Sequence, residues 1–201
     1  MVAASKPEMT VAVLAHQLIL GGQRSGKSRC AELRAAAWLA ACSGSDRSAL
    51  LLATATAGDV EMTARIAQHR VDRAQRVPGL ATLEVPIDLV GAIATHSAPQ
   101  RLLVVDCLTL WLTNLLMPLH GAALDAAALA QVSDTLAAAL EQARGPVLFV
   151  SNEIGLGLVP MTREARRFVD ELGRLHQRLG AICARVTLMV AGLELPVKGC
   201  A

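Results

Sequence analysis

A glycine-rich loop carrying a lysine and a serine directly follows the first apolar run of the chain. The stretch 18–32 is LILGGQRSGKSRCAE, and its Gly-x-x-x-x-Gly-Lys-Ser core has the spacing of a phosphate-binding loop. Glycines let successive backbone N–H groups turn toward a phosphate, and the helix expected after them adds its positive N-terminal end. The lysine can reach the outer phosphates of a nucleoside triphosphate, and the serine hydroxyl can ligate Mg²⁺. The predicted nucleotide contacts in the loop are Gly21, Gly22, Gln23, Arg24, Ser25, Gly26, Lys27 and Ser28.

Acidic and polar residues end several other apolar runs. Asp106 ends the run LLVVD, where a carboxylate can hold Mg²⁺ directly or through water, so we predict Ser28 and Asp106 as the metal ligands. Thr54 and the stretch 151–153 end two further runs. Because ligands bind outside the carboxyl ends of parallel strands, these residues are expected at one edge of the sheet. For 151–153, a structural turn and a role in the site are equally consistent with the sequence.

A histidine in a basic segment could act as a nucleophile. The segment GDVEMTARIAQHRVDRAQR contains His69 and, one helical turn earlier, Arg65, so the two positions share a helix face. Spacing alone favours a solvated basic helix. The same arrangement also suits an imidazole that attacks phosphorus while guanidinium groups hold the phosphate oxygens. By contrast, the mixed-charge segment around His176 is typical of a solvated amphipathic helix.

Six short apolar runs alternate with longer alanine-rich segments along the chain. The runs lie near Leu18, Leu51, Leu83, Val104, Leu148 and Met189. Runs this short without strict alternation suit strands that are buried on both faces. The predicted helices are 28–42, 59–76, 87–95, 125–144 and 163–184. The alternation predicts an α/β protein with a three-layer P-loop NTPase fold, in which helices flank a mainly parallel central sheet. We predict a disordered leader at 1–16 and a single domain at 17–201.

Composition excludes several classes of protein. Aromatic residues make up 2% of the chain and the net charge is +2, which disfavours a nucleic-acid-binding protein. The five cysteines lack zinc-site spacing and are odd in number, so reduced thiols are expected. No apolar stretch is long enough to span a bilayer. These features predict a cytoplasmic enzyme with no membrane span and no nucleic-acid partner.

Four segments in order resemble one enzyme family. GGQRSGKS, ARIAQHR, VDCLTLWLTNLL and SNEIGLGLVP are similar to the motifs of the bifunctional adenosylcobinamide kinase/adenosylcobinamide-phosphate guanylyltransferases of cobalamin biosynthesis. The match runs from about Leu18 to Lys198. The bare glycine loop is common to many enzymes, whereas the RIxxHR and NExGxGxVP segments make this resemblance specific.

The resemblance implies a two-step enzyme that uses ATP or GTP with Mg²⁺. Adenosylcobinamide is first phosphorylated, and GMP is then transferred from GTP through a covalent GMP–histidine to give adenosylcobinamide-GDP. It assigns the nucleophile to His69, and it matches Glu84 to the family's acidic residue at a strand end, a nucleotide or metal contact. Arg65, on the same helix face as His69, is predicted as a further nucleotide contact. It also implies a homotrimer with an active site shared between neighbouring subunits.

The chain departs from the family pattern at two places. Ala74 follows Arg73 where family members have proline, and Leu80 stands where they have tryptophan, which predicts a reshaped loop after His69. In addition, His176 replaces a usual asparagine.

Three other classes of protein make different predictions. A monofunctional P-loop kinase would phosphorylate its substrate without forming a covalent nucleotide adduct. A GTP switch normally carries Asn-Lys-x-Asp, and this tetrapeptide is absent from the sequence. A nucleic-acid-dependent ATPase would hydrolyse nucleotide only with DNA or RNA present.

Overall fold

The computed structural model describes residues 15–41, 46–58 and 60–199, except for the side chains of four residues of one helix (Glu61, Met62, Arg65 and His69). The strands are β1 Gln17–Gly21, β2 Ser48–Ala53, β3 Leu80–Glu84, β4 Arg101–Asp106, β5 Val147–Val150, β6 Arg185–Val190 and β7 Leu193–Lys198. The helices are α1 Lys27–Ala40, α2 Val60–Arg76, α3 Leu89–His96, α4 Leu108–Leu116, α5 Ala126–Glu141 and α6 Arg163–Ile182.

The seven strands form one sheet in the order β3-β2-β4-β5-β1-β6-β7. All neighbouring pairs are parallel except β6 and β7, which form an antiparallel hairpin. Strand β1 lies between β5 and β6, although these two strands come more than 120 residues later in the chain. The strand order therefore brings the carboxyl ends of β1, β4 and β5 together at the centre of one edge, where ligands bind in such sheets.

Two apolar clusters cover opposite faces of the sheet. Alternate side chains of one strand divide between them, as Leu103 and Val104 show. The larger cluster packs α3, α4, α5 and α6 against the sheet around Trp111 and Phe149, and the smaller one packs α1 around Trp38. Among the side chains of α2 that the structure describes, none is buried. The side-chain contacts that the structure describes for α2 are hydrogen bonds and ion pairs.

Every predicted helix is present, and its ends agree with the prediction within three residues. Side-chain caps define three of the starts, since Asp88, Asp125 and Thr162 each accept a hydrogen bond from a backbone N–H three residues later. The prediction missed α4, whose sequence LTLWLTNLL is nearly apolar all round, and the edge strand β7. The central parallel sheet flanked by helices agrees with the predicted architecture.

The structure also bears on the ends and the thiols of the chain. Residues 1–14 of the predicted leader lie outside the described residues, whereas the backbone oxygen of His16 accepts a hydrogen bond from the N–H of Ala184.

Cys30, Cys107 and Cys183 are buried free thiols, and the other two cysteines lie outside the described residues. Within the described ranges, no helix has the length and apolar character needed to cross a bilayer.

Candidate active site

The glycine loop between β1 and α1 has the backbone that a phosphate cradle requires. Gly21 has φ +153°, and a Cβ there would lie 2.6 Å from the backbone oxygen of Met189. Gly26 caps α1 with φ +101°, in the left-handed region that glycine adopts without strain. Since α1 begins at Lys27, its positive N-terminal end faces the loop. The local sequence therefore builds an anion-binding turn.

Neighbouring segments hold the loop in place. The N–H of Glu153 donates to the oxygen of Gly21 at 2.9 Å, and the N–H of Gly192, in the β6–β7 turn, donates to the oxygen of Ser25 at 3.0 Å. Lys27 is 8% exposed, and its Nζ donates to the oxygen of Gly22 at 2.7 Å. The ammonium group therefore lies within the loop, where it can reach phosphate oxygens.

The loop opens onto a cleft of about 510 Å³ at the carboxyl edge of the sheet. Besides the loop, the cleft is lined by α2 and by the ends of β2, β3, β4 and β5. The described lining residues include six cations and three carboxylates: Arg24, Lys27, Arg29, Arg70, Arg73 and Arg76, and Glu32, Glu84 and Asp106. A site with this excess of positive charge favours a multiply anionic ligand.

The structure brings the two predicted metal ligands into this cleft but not Thr54. Ser28 and Asp106 both line it. Thr54 is fully buried, and its hydroxyl donates to the oxygen of Cys107 at 2.7 Å and accepts from the N–H of Cys107 at 2.8 Å. The hydroxyl of Thr54 thus both donates to and accepts from the backbone of one residue, Cys107. Thr54 therefore connects the end of β2 to Cys107, which directly follows Asp106 and itself lines the cleft.

A buried carboxylate on α1 is a site feature that the sequence analysis missed. Glu32 is 5% exposed and lies 2.9 Å from Nη1 of Arg76 and 3.8 Å from Nε of Arg73, both on α2. Burial lowers the pKa of Arg73, while Asp106 and Glu32 act in the opposite direction. Glutamates are common on helix surfaces, so only its burial and its ion pairs with α2 distinguish this one.

Three arginines of α2, Arg70, Arg73 and Arg76, line the cleft, so the basic face of this helix is both solvent-accessible, as the spacing alone predicts, and turned toward the site. Arg70 forms an ion pair with Glu84, and Arg73 donates to the hydroxyl of Thr82 at 3.2 Å. Positions 65 and 69 belong to α2, but the side chains of Arg65 and His69 lie outside the described part of the structure. The site can therefore hold a nucleoside triphosphate between the loop and α2.

Three comparisons with known proteins bear on this geometry. Residues 17–197 match the family model described as cobinamide kinase / cobinamide phosphate guanyltransferase. The bifunctional adenosylcobalamin biosynthesis protein CobP of Pseudomonas aeruginosa is 48% identical over 182 residues, covering 90% of this chain and 96% of that protein. The corresponding protein CobU of Salmonella typhimurium is 36% identical over 189 residues, covering 90% of this chain and 98% of its own length.

Solved structures with little sequence similarity share the fold. The flagellar accessory protein FlaH of Methanocaldococcus jannaschii has a TM-score of 0.51 at 12% identity, covering 92% of this chain and 78% of its own. A Pyrococcus horikoshii OT3 protein has the same TM-score at 10% identity, covering 94% and 88%. Together with the glycine loop and the parallel sheet, these matches confirm the predicted P-loop α/β fold.

Proposed function

The chain belongs to the cobinamide kinase / cobinamide phosphate guanyltransferase family, and we propose that it catalyses both reactions on adenosylcobinamide in cobalamin biosynthesis. The observation that supports this most strongly is the family match across 17–197, in a chain whose glycine loop opens onto a cationic cleft. The products of the two steps are adenosylcobinamide phosphate and adenosylcobinamide-GDP.

In the first step, a hydroxyl oxygen of the substrate attacks the terminal phosphorus of ATP or GTP. The new P–O bond forms as the bond to the nucleoside diphosphate breaks, and the hydroxyl proton is released. Lys27 and the N–H groups of the loop hold the phosphates, and the cations of α2 stabilise the charge that develops on them.

The residues present fit Mg²⁺. Ser28 and Asp106 offer hard oxygen ligands at the edge of the cleft, and the described residues contain no cluster of three or more His, Cys, Asp or Glu side chains that could hold a metal. Mg²⁺ suits such a site because it usually takes one or two protein ligands and completes its shell with phosphate oxygens and water. When bound, Mg²⁺ would neutralise phosphate charge.

In the second step, we assign the nucleophile to His69. Its ring nitrogen attacks the α-phosphorus of GTP, so a P–N bond forms and pyrophosphate leaves. An oxygen of the substrate's phosphate then attacks the same phosphorus, and the P–N bond breaks. Position 69 lies three residues after Ile66 and four before Arg73, and both of these residues line the cleft. Arg65 and Glu84 are proposed as further nucleotide contacts.

The remaining parts of the proposal have two sources. Composition and patterning predict a single domain at 17–201, a cytoplasmic location and no nucleic-acid partner, and the family resemblance implies a homotrimer whose subunits share the active site. Exposed apolar side chains at Leu156, Leu158, Val159 and Met161 give the surface an area that a neighbouring subunit could cover.

The test is to incubate the protein with Mg²⁺ and GTP labelled at the α-phosphate and to measure label on the denatured chain. A phosphoramidate is stable to base and labile to acid. We expect His69→Ala to lose the label and guanylyl transfer but to keep kinase activity, and the neighbouring Gln68→Ala to keep all three. Lys27→Ala should lose both activities.

Two outcomes would contradict the proposal. Full labelling of His69→Ala would remove His69 from the nucleophile's role. Kinase activity without any label in the wild type would leave a monofunctional kinase.

A further inference from the structure

A buried chain of hydrogen bonds runs beneath the cleft from α6 to α4. Nε2 of His176 lies 2.7 Å from Oγ of Ser151, which lies 3.3 Å from Oγ1 of Thr109. Oγ1 of Thr109 accepts from the N–H of Asn152 at 2.8 Å. His176 is 9% exposed and belongs to the buried stripe of α6, so it lies on the buried face of the amphipathic helix that the sequence predicts.

The imidazole of His176 and the two hydroxyls together determine which atom donates in each of these hydrogen bonds. Nδ1 of His176 faces Oε2 of Glu153 at 3.8 Å, and Glu153 is the charged group that acts on this ring. That distance is too long for a hydrogen bond, so the carboxylate favours a proton on Nδ1 only by electrostatic attraction, and the assignment in which Nε2 accepts from Ser151 rests on the two hydroxyls. Ser151 then accepts from Thr109, which itself accepts from the N–H of Asn152. Every hydroxyl in the chain thereby has both a donor and an acceptor.

The serine, histidine and glutamate resemble a hydrolytic triad, but they cannot act as one. Ser151 is 0% exposed, so its hydroxyl has no access to a substrate. A nucleophile must reach the reacting atom to within about 3–3.5 Å. The cluster therefore acts on the site only through the backbone and side chains that it holds.

Asn152 is the residue through which the cluster reaches the cleft. Asn152 is one of the residues that line the cleft. Its neighbours in the chain are fixed to β1, because the N–H of Ser151 donates to Ile19 and that of Glu153 donates to Gly21, each at 2.9 Å. Val150 pairs with Asp106. Asn152 thus stands between the start of the phosphate loop and the end of β4, where its carboxamide can donate to a phosphate oxygen.

We propose that His176 is a positioning residue that acts through Ser151 and Thr109 to aim the Asn152 carboxamide at the transferred phosphate. The inference rests on the proposed kinase step. Loss of the acceptor at Nε2 frees the Ser151 hydroxyl, which then competes for Thr109 and loosens the Asn152 peptide. Displacement of a contact by about 1 Å is enough to cost about 100-fold in rate in a preorganised site.

The test is a double-mutant cycle on the kinase step, with ATP as donor. We expect His176→Leu to lower kcat by about 10-fold with a smaller change in KM, because a misaimed contact acts mainly in the transition state. In an Asn152→Ala background, the same substitution should change kcat by less than about 2-fold, because its effect passes through Asn152. Gln177→Ala, an exposed neighbour on α6, is the matched control and should behave as wild type.

A conservative variant separates positioning from folding. His176→Gln places an amide acceptor near the position of Nε2 and should restore kcat to within about 3-fold of wild type. Burial lowers the pKa of His176 and Glu153 opposes this shift, so the ring loses its acceptor only in acid. The wild type should therefore show an additional fall in kcat below the ordinary histidine pKa of 6.5, which the glutamine variant lacks.

Each result decides a different question. Equal effects of His176→Leu in both backgrounds, or identical pH profiles of wild type and His176→Gln, would overturn the role of His176. Absence of kinase activity in the wild type would instead refute the proposed function. If His176→Leu does not fold, His176→Gln and its pH profile still decide the inference.

Discussion

Neutralising Glu32 isolates the contact that holds α2 on α1. The side chain of Glu32 is 6% exposed, that of Arg73 is 11% exposed and that of Arg76 is 38% exposed. Glu32→Gln keeps the shape and one acceptor oxygen but removes the charge. It leaves Arg73 charged and largely buried with Asp106 as its remaining acidic neighbour, so the cost is the lost share of that charge's stabilisation together with the ion pair to Arg76.

The magnitude follows from the geometry. Removing one partner of a fully buried ion pair costs about 3–5 kcal/mol of unfolding free energy. The distance of 3.8 Å to Arg73 and the exposure of Arg76 reduce this, because exposed pairs contribute only about 0.2–1 kcal/mol. We expect a loss of about 2–3 kcal/mol, which for a chain of this size lowers Tm by about 5–10 °C.

The assay is urea and thermal unfolding followed by circular dichroism, with Asp72→Asn as the matched control. Asp72 lies 3.3 Å from the same Arg76 but is 40% exposed, so its loss should cost about 0.5 kcal/mol or less. The double variant Glu32→Gln/Arg73→Gln should be less destabilised than the sum of the single variants, because the interaction between the two charges is then lost only once. A Glu32→Gln variant as stable as Asp72→Asn would refute the reasoning.

Three further predictions concern the loop and the core. Gly26→Ala should lower the free energy of unfolding by about 1–3 kcal/mol and weaken nucleotide binding in calorimetry. The reason is that φ is +101° at this position and the new Cβ would lie 3.3 Å from Cα of Gly192. Unchanged stability and binding would contradict the claim that this position requires glycine. Burial lowers the pKa of His16, whose Nδ1 accepts from the N–H of Val147 at 3.2 Å. The unfolded chain therefore binds more protons in acid, so the unfolding free energy should fall as pH drops below 6.5, and His16→Gln should flatten the slope in urea titrations between pH 5 and 7.5. Trp111→Phe should lower the free energy of unfolding by about 1–3 kcal/mol in the same titrations. It removes a 2.8 Å hydrogen bond from the buried indole to a backbone carbonyl and leaves a void. An unchanged free energy would mean that the core relaxes around the smaller ring.

The sequence predicts well those elements whose structure depends on residues close to one another in the chain. The glycine loop and most helices have signatures within a few residues, so their positions could be predicted. Helix α4 was missed because its sequence has apolar residues on every face and lacks the periodicity that marks an amphipathic helix. Strand β7 was missed because Pro196 and its full exposure weaken the strand signal, although an edge strand tolerates both.

The rest of the site depends on contacts between distant segments. The importance of Glu32 arises from two arginines about 40 residues later, and that of His176 from a serine that directly follows β5. Thr54 follows a strand at the predicted edge, but its hydroxyl is bonded to Cys107 rather than directed at the cleft. The order of elements in the sequence does not show which strands are neighbours in the sheet. These contacts depend on the order in the sheet, so the sequence could not predict them.

The place of β1 in the sheet constrains when the phosphate loop can form during synthesis on the ribosome. Both strands that flank β1 begin at or after Val147, and the turn that holds Ser25 contains Gly192. A nascent chain that has emerged only as far as α5 carries the complete loop sequence but none of these supports. Since domains form from the amino terminus as the chain is made, β2, β3 and β4 can pair early, whereas β1 must wait for the last quarter of the chain. Nucleotide-binding competence is therefore acquired late, and nascent chains arrested before β6 should not bind nucleotide.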